Sequence, residues 1–441
     1  MIRKATATLT RLGDAWPALK GQIRRLGLFA SIFLLVKISG FVSALWLSQL
    51  VTDMASYGLF EYALSVGILI AIALNVGLQA AYPYFNLKKR ERGFRSIFYF
   101  HPLLCSGLIG GILLMDYWLF QVIEPKLQLA LLIGGIIAMQ LLLSYILKSH
   151  EFIIRAVLLD GGLFIAINFY NLFVWLSGKP YDFETLKSLL LCYFAGLLVI
   201  CFFHYWKNRQ DFSWKRYLEA ISFGKHLVLS STIVIVLTNG ARIFIEYFLG
   251  LEQVASYSFY FRFAVVVILI QQVFNIAFFK KIYRSKAAQL DNFFSAFIIG
   301  ALFVAMLFWL LLPNLLSGMF SFFEEGHQGY APLYFILSFH ALFWISISFN
   351  ENIIYRENLS RQMNRACVLL LVGMLAIFTL LHLCAWLTLF SFAIVNLFFL
   401  FWATDIQFSL LLKHRRLSFR HSRLLNRGML LLFAISYLLI F

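Results

Sequence analysis

The chain has 441 residues, of which 62% are hydrophobic and 13% charged, with a net charge of +17. Soluble domains average about 25% charged residues, so this composition leaves little room for a soluble domain and points to an integral membrane protein. The five cysteines (Cys105, Cys192, Cys201, Cys367 and Cys384) all fall in apolar stretches. They show no disulfide framework and no metal-ligand spacing.

The first 25 residues are basic and lack an apolar core with a cleavage site, which reads as a cytoplasmic tail rather than a signal peptide. Apolar windows then fall at 26–50, 60–83, 96–120, 127–147, 156–176, 188–206, 226–249, 254–279, 292–312, 331–350, 366–385 and 388–411. These predict twelve membrane spans. With the N-terminus inside, the inner connecting segments hold 31 of the 37 Lys and Arg residues and the outer ones hold three. That bias predicts the orientation by the positive-inside rule and leaves nothing to assign to nucleic acid. A basic stretch and a fourteen-residue apolar tail, Gly428 to Phe441, close the chain. At ~1.5 Å per residue the tail covers only ~21 Å, and the sequence leaves open whether it crosses.

A shift of 200 residues overlays the first spans on the seventh and eighth. It pairs Gly40 with Gly240, Ala55-Ser56-Tyr57 with Ala255-Ser256-Tyr257, and Asn75 with Asn275. We read two six-span halves, 26–206 and 226–411, joined by a cytoplasmic linker at 207–225 that is a candidate amphipathic helix, with 412–441 as an appendix. An even number of spans per half makes the repeat parallel, and a ligand site is expected between the halves.

Three cations fall inside spans: Lys37, Arg242 and Arg262. A cation near the midplane costs roughly 3 kcal/mol on insertion scales, and such residues mark functional sites by default. Lys37 shares a helix face with Gly40, Ala44 and Ser48, small residues that leave room beside an ammonium. Arg242 has Glu246 four residues on, where local neutralisation is equally expected. Arg262 has no acidic residue at three or four positions in either direction, so its partner is elsewhere or is a ligand. Glu61, near the outer end of span 2, reads first as an interfacial charge, and otherwise as a partner for a cation or a proton site. Asp160 suits proton or sodium coupling, or pairing with Lys37. His101 and His340 read as hydrogen-bonded core residues. No phosphate-binding loop, metal-binding set or nucleophile elbow is present, so an enzyme is not expected and no cofactor is called for.

The stretch Leu26-Gly-Leu-Phe-Ala-Ser-Ile-Phe-Leu-Leu-Val-Lys37-Ile-Ser-Gly40 and the turn Met54-Ala-Ser-Tyr-Gly-Leu-Phe-Glu-Tyr-Ala63 resemble the first two spans of bacterial O-antigen and capsule flippases. These belong to the multidrug/oligosaccharidyl-lipid/polysaccharide exporter superfamily. The resemblance implies an all-α, two-lobed transporter in the bacterial inner membrane. It implies movement of an undecaprenyl-diphosphate-linked oligosaccharide between leaflets, with the diphosphate held in a cationic central cavity for which Lys37, Arg242 and Arg262 are the matching residues. Membrane lipids, and polysaccharide polymerase machinery as a candidate, would be its partners. The alternative is a proton- or sodium-coupled exporter of drugs or metabolites with the same fold.

Overall fold

The computed structural model describes residues 31–83, 85, 95–116, 118, 122–150, 152–284, 287–316, 321–357, 359–413 and 419–441; the expected basic tail, 1–25, lies outside them. Among the described residues every regular element is helical. Eleven helices are long and apolar enough to cross a membrane, and thirteen spans result if each of two bent helix pairs crosses as one. The chain is a polytopic helical membrane protein.

Helix α1 (Ser31–Leu50) runs unbroken through Lys37. Helix α2 (Met54–Asn75) starts where the Asp53 carboxylate accepts hydrogen bonds from the Ser56 N–H at 2.7 Å and the Ser56 hydroxyl at 2.8 Å, an N-cap that supplies an acceptor to an otherwise orphan donor. It stops at Val76 and Gly77, whose φ values of 45° and 71° lie in the left-handed region. The span expected at 60–83 is thus displaced toward the N-terminus, and Leu78–Pro83 forms a separate short helix, α3. Helix α4 covers Arg95–Met115 and α5 covers Pro125–Ser149, with Pro125 in the first turn where a missing N–H costs nothing. Helices α6 (Ile153–Asp160) and α7 (Gly162–Ser177) meet at 53° about Gly161.

Helix α8 (Phe183–Asn208) is capped by Asp182. The expected linker does not form its own amphipathic helix. A 3₁₀ turn at Arg209–Asp211 leads into α9 (Trp214–Asn239), which runs from the linker straight into the apolar span. Packing of the Trp214 and Tyr217 rings against Phe100 ties that first turn to α4. Helix α10 (Ala241–Leu249) leaves α9 at 54° about Gly240. Then follow α11 (Leu251–Arg284), α12 (Ala287–Leu316), α13 (Ser321–Arg356), α14 (Ser360–Leu383) and α15 (Leu389–Lys413).

The C-terminal appendix is helix α16 (Arg420–Ile440), 21 residues and long enough to cross. Asp291 of α12 accepts from the N–H groups of His421 and Ser422 at its start, and Asp405 of α15 holds Arg423 through two bonds of 2.8 and 2.7 Å. Those charged first turns add the length that the fourteen apolar residues alone lack.

Helices α2, α5, α11, α13 and α15 form the interior, while α8, α12, α14 and α16 present large apolar side chains such as Leu369, Leu383 and Leu438 outward. In water such a surface would be an aggregation patch; in lipid it is matched by its solvent. Close crossings hold the interior together. A Cβ on Gly67 would lie 2.8 Å from the Ile133 side chain, and one on Gly134 3.0 Å from the Gly67 carbonyl oxygen, so α2 and α5 approach through small residues. A Cβ on Gly58 would lie 1.9 Å from the Leu251 carbonyl oxygen. That crossing joins α2 to α11, the two helices that carry the repeated Ala-Ser-Tyr.

Candidate functional site

Two sites hold the intramembrane charges. The first is a cavity of about 370 Å³ between helices of both sequence halves. Lys37 and Gly40 reach it from α1, Lys148 from α5, Asp160 and Gly161 from the α6–α7 bend, Gln271 and Gln272 from α11, and Trp344 and Ser348 from α13. At the bend Gly161 lets α1 come close: a Cβ there would lie 2.3 Å from a Val36 methyl. Asn168 and Asn171 of α7 then donate to the carbonyl oxygens of Ser39 and Ser43 at 2.9 and 2.8 Å, which fixes the face that α1 turns to the cavity.

Asp160 was expected either to couple an ion or to pair with Lys37. Its carboxylate takes the Lys148 ammonium at 2.8 Å rather than that of Lys37. Among the described residues no carboxylate forms an ion pair with Lys37, whose ammonium lies 5.6 Å from the centre of the Phe33 ring. Two lysines and one carboxylate thus line the cavity, a formal excess of one positive charge that suits an anion.

The second site is a buried ion cluster around Glu61. Arg262 of α11 donates from Nε to Glu61 Oε1 at 2.6 Å, with a second nitrogen on the same oxygen. Arg242 of α10 approaches Oε2 at 3.4 Å. Tyr57 donates to Oε1 at 3.0 Å from one turn earlier on α2. Arg242 also donates to Ser258 at 2.7 Å, and its guanidinium lies 5.0 Å from the Phe261 ring. Glu61 is only 1% exposed. A buried carboxylate is tolerated in apolar surroundings when paired and hydrogen-bonded in this way.

This arrangement corrects two expectations. Glu61 is not an interfacial charge: it is the hub that joins α2 to both arginines. Glu246 does not neutralise Arg242. Both residues lie on α10, but Glu246 instead pairs with Lys126 at 2.6 Å. Arg242 and Arg262 thus come together, whereas Lys37 is apart from them. Gly40 separates the two sites: it lines the cavity, and its carbonyl oxygen accepts from Arg262 at 3.2 Å. That places the arginine layer about one helical turn beyond Lys37 along α1.

His101 is hydrogen-bonded as expected, to Tyr217 at 2.8 Å and the Leu74 carbonyl at 2.7 Å. His340 is equally buried, but neither ring nitrogen has a hydrogen-bond partner. The sequence reading missed Lys148, Gln271, Gln272, Trp344 and Ser348. Lys148 was counted among loop charges, and the others carry no charge anomaly. The spacing Tyr57, Glu61, Ser65 on one helix face was a usable signal for the cluster. No family model, curated protein or solved structure matches the chain.

Proposed function

We propose that the protein is a flippase of the superfamily it resembles, moving a polyprenyl-diphosphate-linked oligosaccharide across the bacterial inner membrane. The observation that carries this reading is the cavity between the two sequence halves, with Lys37 unpaired by any described carboxylate at its wall. An ammonium in that position lowers its free energy by binding an anion, and a diphosphate supplies one. In this reading the cavity faces the cytoplasm, on the side of the basic connecting segments. The Glu61 cluster closes the path to the other side by tying α2 of the first half to α10 and α11 of the second. Rocking of the two halves would break that cluster as the substrate leaves outward.

The test is Lys37→Ala in a cell that depends on this protein for its surface polysaccharide. Surface polymer is lost, lipid-linked repeat units accumulate at the inner leaflet, and the variant is still found folded in the membrane. Normal surface polymer in that variant sinks the reading. The second reading, an ion-coupled exporter, draws support from Asp160 in the same cavity. It predicts altered drug susceptibility in Asp160→Asn with surface polymer unchanged.

A further inference from the structure

The two walls of the cavity are chemically unlike. The wall from α1, α5 and α6 carries Lys37, Lys148 and Asp160. The wall from α11 and α13 carries Gln271, Gln272, Trp344 and Ser348 and, among the described residues, no charged side chain. Trp344 and Ser348 are one helical turn apart and only partly buried, while Phe343, Ile345, Ser346, Ile347 and Phe349 around them are buried. Both therefore face the opening. Phe261 stacks on the Trp344 indole, with ring centres 5.9 Å apart and planes at 18°, which holds the indole in one orientation. Gln271 donates to the Ser348 hydroxyl at 2.9 Å, so a rim of amide and hydroxyl groups is fixed beside the indole.

A flat apolar face with a polar rim is what a sugar ring requires. Its C–H face rests on an aromatic surface, and its hydroxyls exchange hydrogen bonds with amides and hydroxyls. An apolar drug would offer the Gln272 amide no hydrogen bond, and a polar group covered without one costs free energy. An acidic sugar would bring a carboxylate to a wall with no cation among its described residues.

We propose that the Gln271–Gln272–Trp344–Ser348 wall is a subsite for an uncharged sugar, joined to an anionic group held on the opposite wall by Lys37. This rests on the anion reading of the cavity given above and adds the class of the first sugar: neutral, not uronic. The volume is near the lower end of the roughly 300–1,000 Å³ typical of small-molecule sites, so it takes the linkage and the first sugar, not a whole oligosaccharide.

The experiment uses the full chain in lipid nanodiscs and three probes: a short-chain polyprenyl diphosphate, the same lipid bearing N-acetylglucosamine, and the same lipid bearing glucuronic acid. Equilibrium binding of the N-acetylglucosaminyl lipid is expected to be roughly tenfold tighter than that of the other two. Trp344→Ala and Gln272→Ala remove that advantage and leave the bare diphosphate within about twofold of native, whereas Trp344→Phe keeps most of it. Gln272→Lys reverses the preference toward the glucuronyl lipid, a gain that misfolding cannot produce. Equal binding of the neutral and acidic lipids by the native protein overturns the proposal. So does an equal loss for all three probes in both Trp344→Ala and Gln272→Ala. The anion reading fails by a different sign, unaltered binding of the bare diphosphate in Lys37→Ala, and the Trp344 and Gln272 comparisons are read independently of it.

Discussion

The cavity and the Glu61 cluster both put basic side chains among apolar helices, yet they resolve the electrostatic problem in opposite ways. In the cluster the carboxylate contacts both guanidiniums and a tyrosine hydroxyl, and the arginines reach out further to Ser258 and to the Gly40 carbonyl. In the cavity the one carboxylate among the described lining residues is engaged by Lys148, and Lys37 is left over. The first arrangement stabilises helices relative to one another; the second leaves a charge that only a ligand or solvent can satisfy. Residue type alone does not separate a structural cation from a binding one, but the supply of partners does.

Substitutions can break this contrast, and their expected effects on stability descend in a definite order. Glu61→Ala leaves two buried guanidiniums without their carboxylate and is expected to destabilise by about 3–5 kcal/mol. Thermal unfolding in detergent reads this, and a shift within error would mean that water replaces the carboxylate. Gly58→Val follows, at about 1–3 kcal/mol or more, because its side chain would enter the Leu251 carbonyl and drive α2 from α11. Lys126→Ala removes the partner of Glu246 near the membrane boundary and is expected to cost no more than about 1 kcal/mol, with a dependence on ionic strength that the Glu61 variant lacks. Lys37→Ala comes last, within about 0.5 kcal/mol of native, although it should be the most damaging to transport. A large stability loss in that variant would place Lys37 with the structural cations and erase the contrast.

The sequence made the spans legible because insertion energetics depend on composition over about 20 residues, which is local. Span ends were less legible: the Asp53 cap and the left-handed Val76–Gly77 pair moved α2 by several residues. Helix α16 was left open as a span because its apolar part is only fourteen residues and its first turns carry Arg420, Arg423 and Arg427. If both bent pairs cross, thirteen spans put the two ends on opposite faces, and a reporter fused after Phe441 should lie across the membrane from one fused before Met1. The partners of the charges were the least legible part. Helical spacing offers Arg242 only Glu246, whereas Glu61 lies far away in sequence and meets it through the α2–α11 crossing. The two buried histidines show the same limit, since nothing local distinguishes His101, hydrogen-bonded at both ring nitrogens, from His340, bonded at neither.

Gly40 has an electrical consequence. A solvent-filled cavity carries the potential of its own compartment up to that residue, so in the proposed orientation the membrane voltage falls mainly across the layer beyond it. Glu61, Arg242 and Arg262 sit in that layer. One elementary charge moved across the whole potential is worth about 2.3 kcal/mol per 100 mV. In the proposed reading that work falls where a bound anion would pass the arginines.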